Sequence, residues 1–426
     1  MNKSKTKIAT LDKELVKAAR KVKVLRHLEW PASASERFLA KWRKGKAVLP
    51  VSSLKPHDLS DNITRLETIA AQCNEDEPVE KFLSETAQSY TEAARMLGAV
   101  GTLDFTRHSV NIYGRPDQLY KQQGLTSTDA ATFFLKTTDD LLGTNQLTPT
   151  NYDISAKDFA KWLCTQVDDF FYADKVAVKQ DPELSAKAIA GASRIRLRAN
   201  AMFSKLDQDQ LLQHEAFVHT ATMLNGRHQA NLRSLSLGAP RTTRFQEGLA
   251  VLSELVTNAM DITRLRRVAL RVIAVQHALD GADFIEIFKF FLESGQTEEE
   301  SVLSTQRIFR GGAVKDGIVF TKDAVYLSGL LEVHTFIRMA IRDNRPELIS
   351  YLFAGRLTLA DTLRLAPEFE SGWLKPPQYV PEWAVDLNRI AALMAYSAFI
   401  SNISLENVTL NRAIEFEEEL KDPFIR

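Results

Sequence analysis

The chain has 426 residues, 45% hydrophobic and 25% charged, with 54 basic and 54 acidic side chains. This is the composition of a globular protein, and the cancelled charge excludes a global field favouring nucleic acid or membrane. Two cysteines, Cys73 and Cys164, exclude both a disulfide scaffold and a four-thiolate zinc site. No run of about 18 apolar residues marks a transmembrane helix, and the N-terminus lacks a secretion signal's apolar stretch. A cytoplasmic protein is expected.

Charge is distributed unevenly. Residues 1–46 hold 14 Lys/Arg and 4 Asp/Glu, so the remainder is acidic. Leu11, Leu15, Ala18, Val22 and Leu25 recur at three- and four-residue steps, predicting a basic amphipathic helix over 9–28 that stops at Trp30-Pro31. It reads best as a helix docked on the acidic remainder through this stripe. An arm for nucleic acid or another acidic partner is the weaker reading.

Residues 50–56 read as a loop, and 58–97 as helix with a break at 74–78. Ser109 to Tyr113 alternates like a short strand ending at Gly114-Arg115-Pro116. Helices are predicted over 129–142 and 155–171. Two period-2 segments follow, at 175–178 and 194–198. The second sets Ile195 and Leu197 against Arg194, Arg196 and Arg198, the pattern of a half-exposed or edge strand. A helix is predicted over 208–224, with Asp207 as its N-cap and Asn225-Gly226 as its stop. Residues 317–320 read as a strand, and most of the rest as helix. The expected fold is α+β and predominantly helical, with a small sheet. Residues 1–50 form a basic segment, and 51–170 join 171–426 in one compact unit.

The stretch His214-Glu215-Ala216-Phe217-Val218-His219 carries the chemistry. It is the zinc motif H-E-x-x-H with one residue inserted. On a regular α-helix, imidazoles five residues apart diverge by about 140°. A π-bulge, at about 4.4 residues per turn, brings the offset to about 50°. Chance H-E-x-x-x-H matches among eight histidines are expected on the order of 0.01 times. A zinc hydrolase needs a third protein ligand and an open position for water. Glu247, 28 residues after His219 and near the start of the next predicted helix, is the stronger candidate, in the gluzincin arrangement. His228 is the other, or else a residue behind the ligands or on the substrate side. Glu254, seven residues after Glu247, falls on nearly the same face and could hold a ligand histidine by its second nitrogen.

Gln246-Glu247-Gly248-Leu249-Ala250, preceded by Thr222, Asn225, Gly226 and Gln229 at fixed spacing, resembles the bacterial flavohemoglobin expression-modulating QEGLA motif proteins. The same pattern is similar to the eukaryotic microtubule-associated tyrosine carboxypeptidases, which remove the C-terminal tyrosine of α-tubulin. Tyr113 to Pro116, Arg307 to Gly312 and Phe320 to Asp323 share in the resemblance. It implies a zincin-like metallopeptidase with one zinc on His214, His219 and Glu247 and with Glu215 as catalyst; the substrate does not carry over. Candidate donors to the developing oxyanion are Tyr113, Arg115, Arg310 and Tyr326. Arg307, Arg310 and Lys322 are candidates to grip a terminal carboxylate. The expected activity is a zinc carboxypeptidase acting on a peptide or protein C-terminus. The alternative is a zinc-binding scaffold without turnover.

Overall fold

The computed structural model describes residues 3–120, 124–142, 151–184 and 186–400. Helices dominate, with two small sheets. The main apolar core draws on residues from Ile8 to Ile390. The N-terminal helix Lys3–Ala19 enters it through Leu11, Leu15 and Ala18, against helices Ser60–Gln72 and Pro78–Gly98. Polar contacts fix the docking: the Asp12 carboxylate accepts from the backbone N–H groups of Arg233 and Ser234 at 3.0 and 2.8 Å, and Lys7 pairs with Glu80 at 2.6 Å. This helix ends at Ala19 rather than running to residue 28, and Leu25, on the short helix Val24–His27, is exposed.

A second cluster lies under the small sheet. Strand Ala177–Asp181 pairs in parallel with Arg194–Arg198, whose other side takes Ala188–Ile189 antiparallel. Arg194–Arg198 is therefore the central strand, not an edge. Ile195 and Leu197 face the core, while on the opposite face Arg194 is exposed, Arg196 and Arg198 are half-buried, and Arg196 is paired with Asp181 at 2.9 Å. A central strand with one open face carries the same alternation as an edge strand.

Two further expectations are corrected. Ser109 to Tyr113 is the end of helix Leu103–Tyr113, not a strand: Phe105, Ser109 and Tyr113 are buried at four-residue steps, and five alternating residues are too few to separate the two periods. Residues 317–320 are not a strand. They run without a ladder partner, and the Phe320 N–H donates to the Ile308 carbonyl at 2.8 Å.

Helix Val325–Arg342 crosses helix Thr243–Val256 at two glycines. A Cβ on Gly248 would stand 2.1 Å from the Gly329 carbonyl carbon, and one on Gly329 would stand 2.0 Å from the Arg244 carbonyl oxygen. The backbones touch because neither has a side chain in the way. Thr321–Arg342 is long and apolar enough to cross a bilayer, but it is packed here as a core helix. Gly248→Ala is expected to lower stability by about 1–3 kcal/mol, although alanine is the better helix former. Gly238→Ala, with open space around it, should change stability by less than about 0.5 kcal/mol. Thermal denaturation of the two variants checks this.

Candidate metal centre

The helix carrying the two histidines begins with a capping box. The Ser204 hydroxyl accepts from the Asp207 N–H at 3.0 Å, and the Asp207 carboxylate accepts from the Ser204 N–H at 2.9 Å. The cap is thus Ser204, with Asp207 three positions inside. An α-helical start, Lys205–Leu211, gives way to a π-helix over Leu212–Thr220 and then to α-helix Ala221–His228. Widening the turn brings the His214 and His219 rings to a centroid distance of 4.7 Å, perpendicular to each other.

The widened turn leaves backbone carbonyls that need other donors. Thr220 Oγ1 donates to the Glu215 carbonyl at 2.9 Å, and Thr222 Oγ1 to those of Val218 and His219 at 2.8 and 3.2 Å. Arg356 Nη2 also reaches the His219 carbonyl, at 3.2 Å. Asn225-Gly226 does not stop the helix. The buried Asn225 amide donates to the Phe353 and Tyr379 carbonyls and accepts from the Gln378 and Tyr379 N–H groups. Gly226 lets the Leu235 backbone approach, where a Cβ would meet its carbonyl oxygen at 2.5 Å.

Glu247 comes from helix Thr243–Val256. Its Oε2 lies 3.4 Å from His214 Nε2 and 3.7 Å from His219 Nε2. Tetrahedral ligands at zinc distances stand about 3.3–3.6 Å apart, so this buried group could hold a metal ion. The neighbours of Glu247 have separate tasks: the Gln246 side-chain amide lies 2.9 Å from Thr222 Oγ1, and Gly248 forms the helix crossing. The second nitrogen of His214, Nδ1, meets the fully buried Glu254 at 2.6 Å, and Arg264 clamps Glu254 at 2.9 and 3.0 Å. Lys322, on the turn Thr321–Ala324, donates to the other oxygen of Glu247, Oε1, at 2.8 Å.

These pairs set the charge states. Burial alone would raise the pKa of Glu247, but the Lys322 ammonium and the two imidazoles hold it well below the usual range. Burial likewise disfavours the Glu254 anion, yet Arg264 and His214 bring it to about 2. Burial opposes a charged His214, but hydrogen bonds to Glu247 and Glu254 raise its pKa to about 10. Burial also lowers that of His219, to about 4. Glu215 stands outside the ligand group. Its Oε2 accepts from the Ala190 N–H at 2.7 Å, directly after strand Ala188–Ile189, and burial raises its pKa.

The other nominated residues divide. Arg307 is bound bidentately by Asp323 at 2.6 and 2.7 Å and donates to the Tyr326 hydroxyl at 3.2 Å. Lys322 and Arg271 lie over the Tyr326 ring at 5.0 and 5.4 Å. Arg310 has a buried Nε without a hydrogen-bond partner among the described residues. Tyr113 is buried, with its ring against Phe320 at 5.4 Å and its carbonyl accepting from Arg244 at 2.9 Å. Arg115 is exposed, and Asp117 takes its guanidinium at 2.8 Å. His228 pairs with Asp174 at 3.0 Å beside Tyr379 and is not in the ligand group. Sequence reasoning overlooked Arg264 and Arg356. Arg356 had a signal, a lone cation in the otherwise apolar run Leu352-Phe353-Ala354-Gly355-Arg356-Leu357; Arg264, among other arginines, had none.

A family model described as microtubule-associated tyrosine carboxypeptidase matches residues 36–402. The chain belongs to this family. No curated protein matches the sequence. The match contains every residue of the centre and leaves out the N-terminal helix Lys3–Ala19. Membership makes the group of His214, His219 and Glu247 part of a carboxypeptidase-family fold. Glu254→Ala should weaken metal binding about 10–100-fold, because the partner that orients a ligand imidazole is lost. Competition against a chromophoric chelator measures it.

Proposed function

We propose that the chain is a zinc-dependent metallocarboxypeptidase, zincin-like and of the gluzincin type, that trims the C-terminus of a peptide or protein. The supporting observation is the convergence of two imidazoles and one carboxylate while Glu215, adjacent in sequence to a ligand, stays outside their group. The donor set suits zinc: His214 with its Nδ1 proton on Glu254 directs the Nε2 lone pair inward, and Glu247 contributes a carboxylate oxygen.

His214, His219 and Glu247 would hold the zinc, which would supply a Lewis acid able to bring the pKa of a water to about 7 and to polarise a carbonyl. Glu215 accepts the proton of the attacking water and passes it to the leaving amine. Burial, which raises its pKa, suits a group that must hold that proton for a time, and the Ala190 N–H aims its carboxylate. Lys322 occupies Glu247 Oε1 and so leaves Oε2 for the metal side. The Tyr326 hydroxyl accepts from Arg307, which leaves its own proton to donate to a developing oxyanion. The free thiols Cys73 and Cys164 accord with a cytoplasmic setting.

The family description points to peptides ending in tyrosine as first substrates. Zinc-loaded protein should release the single last residue, detected by mass spectrometry. Glu215→Gln should retain zinc and lose at least about 10²-fold in rate. A zinc-loaded protein that cleaves no member of a C-terminal peptide library, or a Glu215→Gln variant with full activity, would contradict the reading.

A further inference from the structure

An exopeptidase must recognise the end of its substrate as well as the bond it cuts. Only one residue, about 3.5 Å of chain, separates the scissile carbonyl from the terminal carboxylate. The cation that receives this carboxylate therefore has to stand beside both the metal ligands and Glu215. Most cations near the centre are already committed: Arg264 to Glu254, Arg307 to Asp323 and Lys322 to Glu247.

Arg356 is not. Its guanidinium makes one hydrogen bond, from Nη2 to the His219 carbonyl at 3.2 Å, and its Nε is buried without a partner. It makes no ion pair among the described residues. A guanidinium carries five N–H donors, and a partly buried one without a carboxylate bears a desolvation cost that an anion would offset. That hydrogen bond sets the guanidinium against the backbone of His219, one of the two converging imidazole residues. Arg310 also lacks a partner, but its charge acts on Arg307, Asp323, Glu29 and Tyr326.

The backbone under Arg356 is fixed. Its N–H donates to the Leu235 carbonyl at 2.6 Å, and a Cβ on the preceding Gly355 would meet Leu235 at 2.9 Å. Such anchoring suits a binding group whose position must be set before the ligand arrives.

We propose that Arg356 is the residue that receives the α-carboxylate of the substrate's last residue, and that this makes the site an exopeptidase site. The inference rests on the peptidase reading for its purpose but not for its test. The competing role for Arg356 is structural, as the donor that satisfies the His219 carbonyl at the end of the π-helix. That role predicts no preference between a peptide acid and its amide.

The probes are two fluorescein-labelled hexapeptides ending in tyrosine, identical except that one has a free carboxylate and the other a C-terminal amide. Binding is measured by anisotropy on the zinc-loaded Glu215→Gln chain, in which turnover is blocked, with Arg356 retained, changed to Met or changed to Lys. Zinc content and thermal midpoint are recorded for each. With Arg356 present the acid should bind at least about tenfold more tightly than the amide, as expected for a charge-assisted bidentate contact. The ratio should fall to near one in Arg356→Met and at least about threefold in Arg356→Lys. If Arg356→Met does not fold, Arg356→Lys decides. No preference in the parent, or the same preference in a folded Arg356 variant, overturns the proposal. Hydrolysis of the acid peptide by the wild-type chain is followed in parallel. A carboxylate preference that depends on Arg356, with no hydrolysis, sinks the peptidase reading and leaves Arg356 as a carboxylate receptor. Hydrolysis with a preference indifferent to Arg356 does the reverse.

Discussion

Two histidines five residues apart cannot share a metal on a regular α-helix, because their side chains leave it about 140° apart. The centre therefore depends on the π-helix at Leu212–Thr220. A π-turn has poorer backbone geometry than an α-turn and is seldom kept without a reason. Here neighbouring side chains maintain it: the threonine hydroxyls at 220 and 222 and the Arg356 guanidinium take the carbonyls that it displaces. Packing adds to this, since Ala216 and Val218 face the two apolar clusters from opposite sides of the same segment.

The second constraint is charge. Glu247, Glu254 and Asp323 are buried, and each has a basic partner within 2.9 Å. Buried carboxylates of this kind contribute little net stability, but removing one partner leaves an uncompensated charge. The pairs act mainly by orientation. Arg264 fixes Glu254, Glu254 fixes the His214 ring, and Lys322 fixes Glu247, so the Glu247 carboxylate is held against both imidazoles, 3.4 and 3.7 Å away. The helix crossing at Gly248 and Gly329 sets the height at which Glu247 meets the histidines.

The group of His214, His219 and Glu247 was legible in the sequence because it is local in spacing: two histidines in one segment and a glutamate inside a five-residue string. The geometry confirms that those three side chains meet, and it explains the string's other letters, Gln246 as the partner of Thr222 and Gly248 as a packing contact. Residues 194–198 form the half-exposed strand their alternation allows, but not an edge, and 109–113 were misread, for a common reason. Alternation over five residues does not distinguish an edge strand from a half-open central one, nor a strand from one face of a helix. Asn225 was read as a stop because Asn-Gly often ends helices, whereas its side chain ties together segments more than a hundred residues away. Long-range partners such as Arg356 are invisible to any local pattern. Only the fold brings residue 356 to the carbonyl of residue 219.

X-ray absorption at the metal edge tests most directly whether the π-helix gathers both imidazoles onto one ion. The sample is the full chain loaded with one equivalent of zinc. Two imidazole ligands with nitrogen at about 2.0–2.1 Å, completed by oxygen donors at about 2.0–2.2 Å, are the predicted result. A spectrum showing one imidazole or none, or six oxygen donors, would mean that His214 and His219 do not share a metal, and the account of this centre would be wrong.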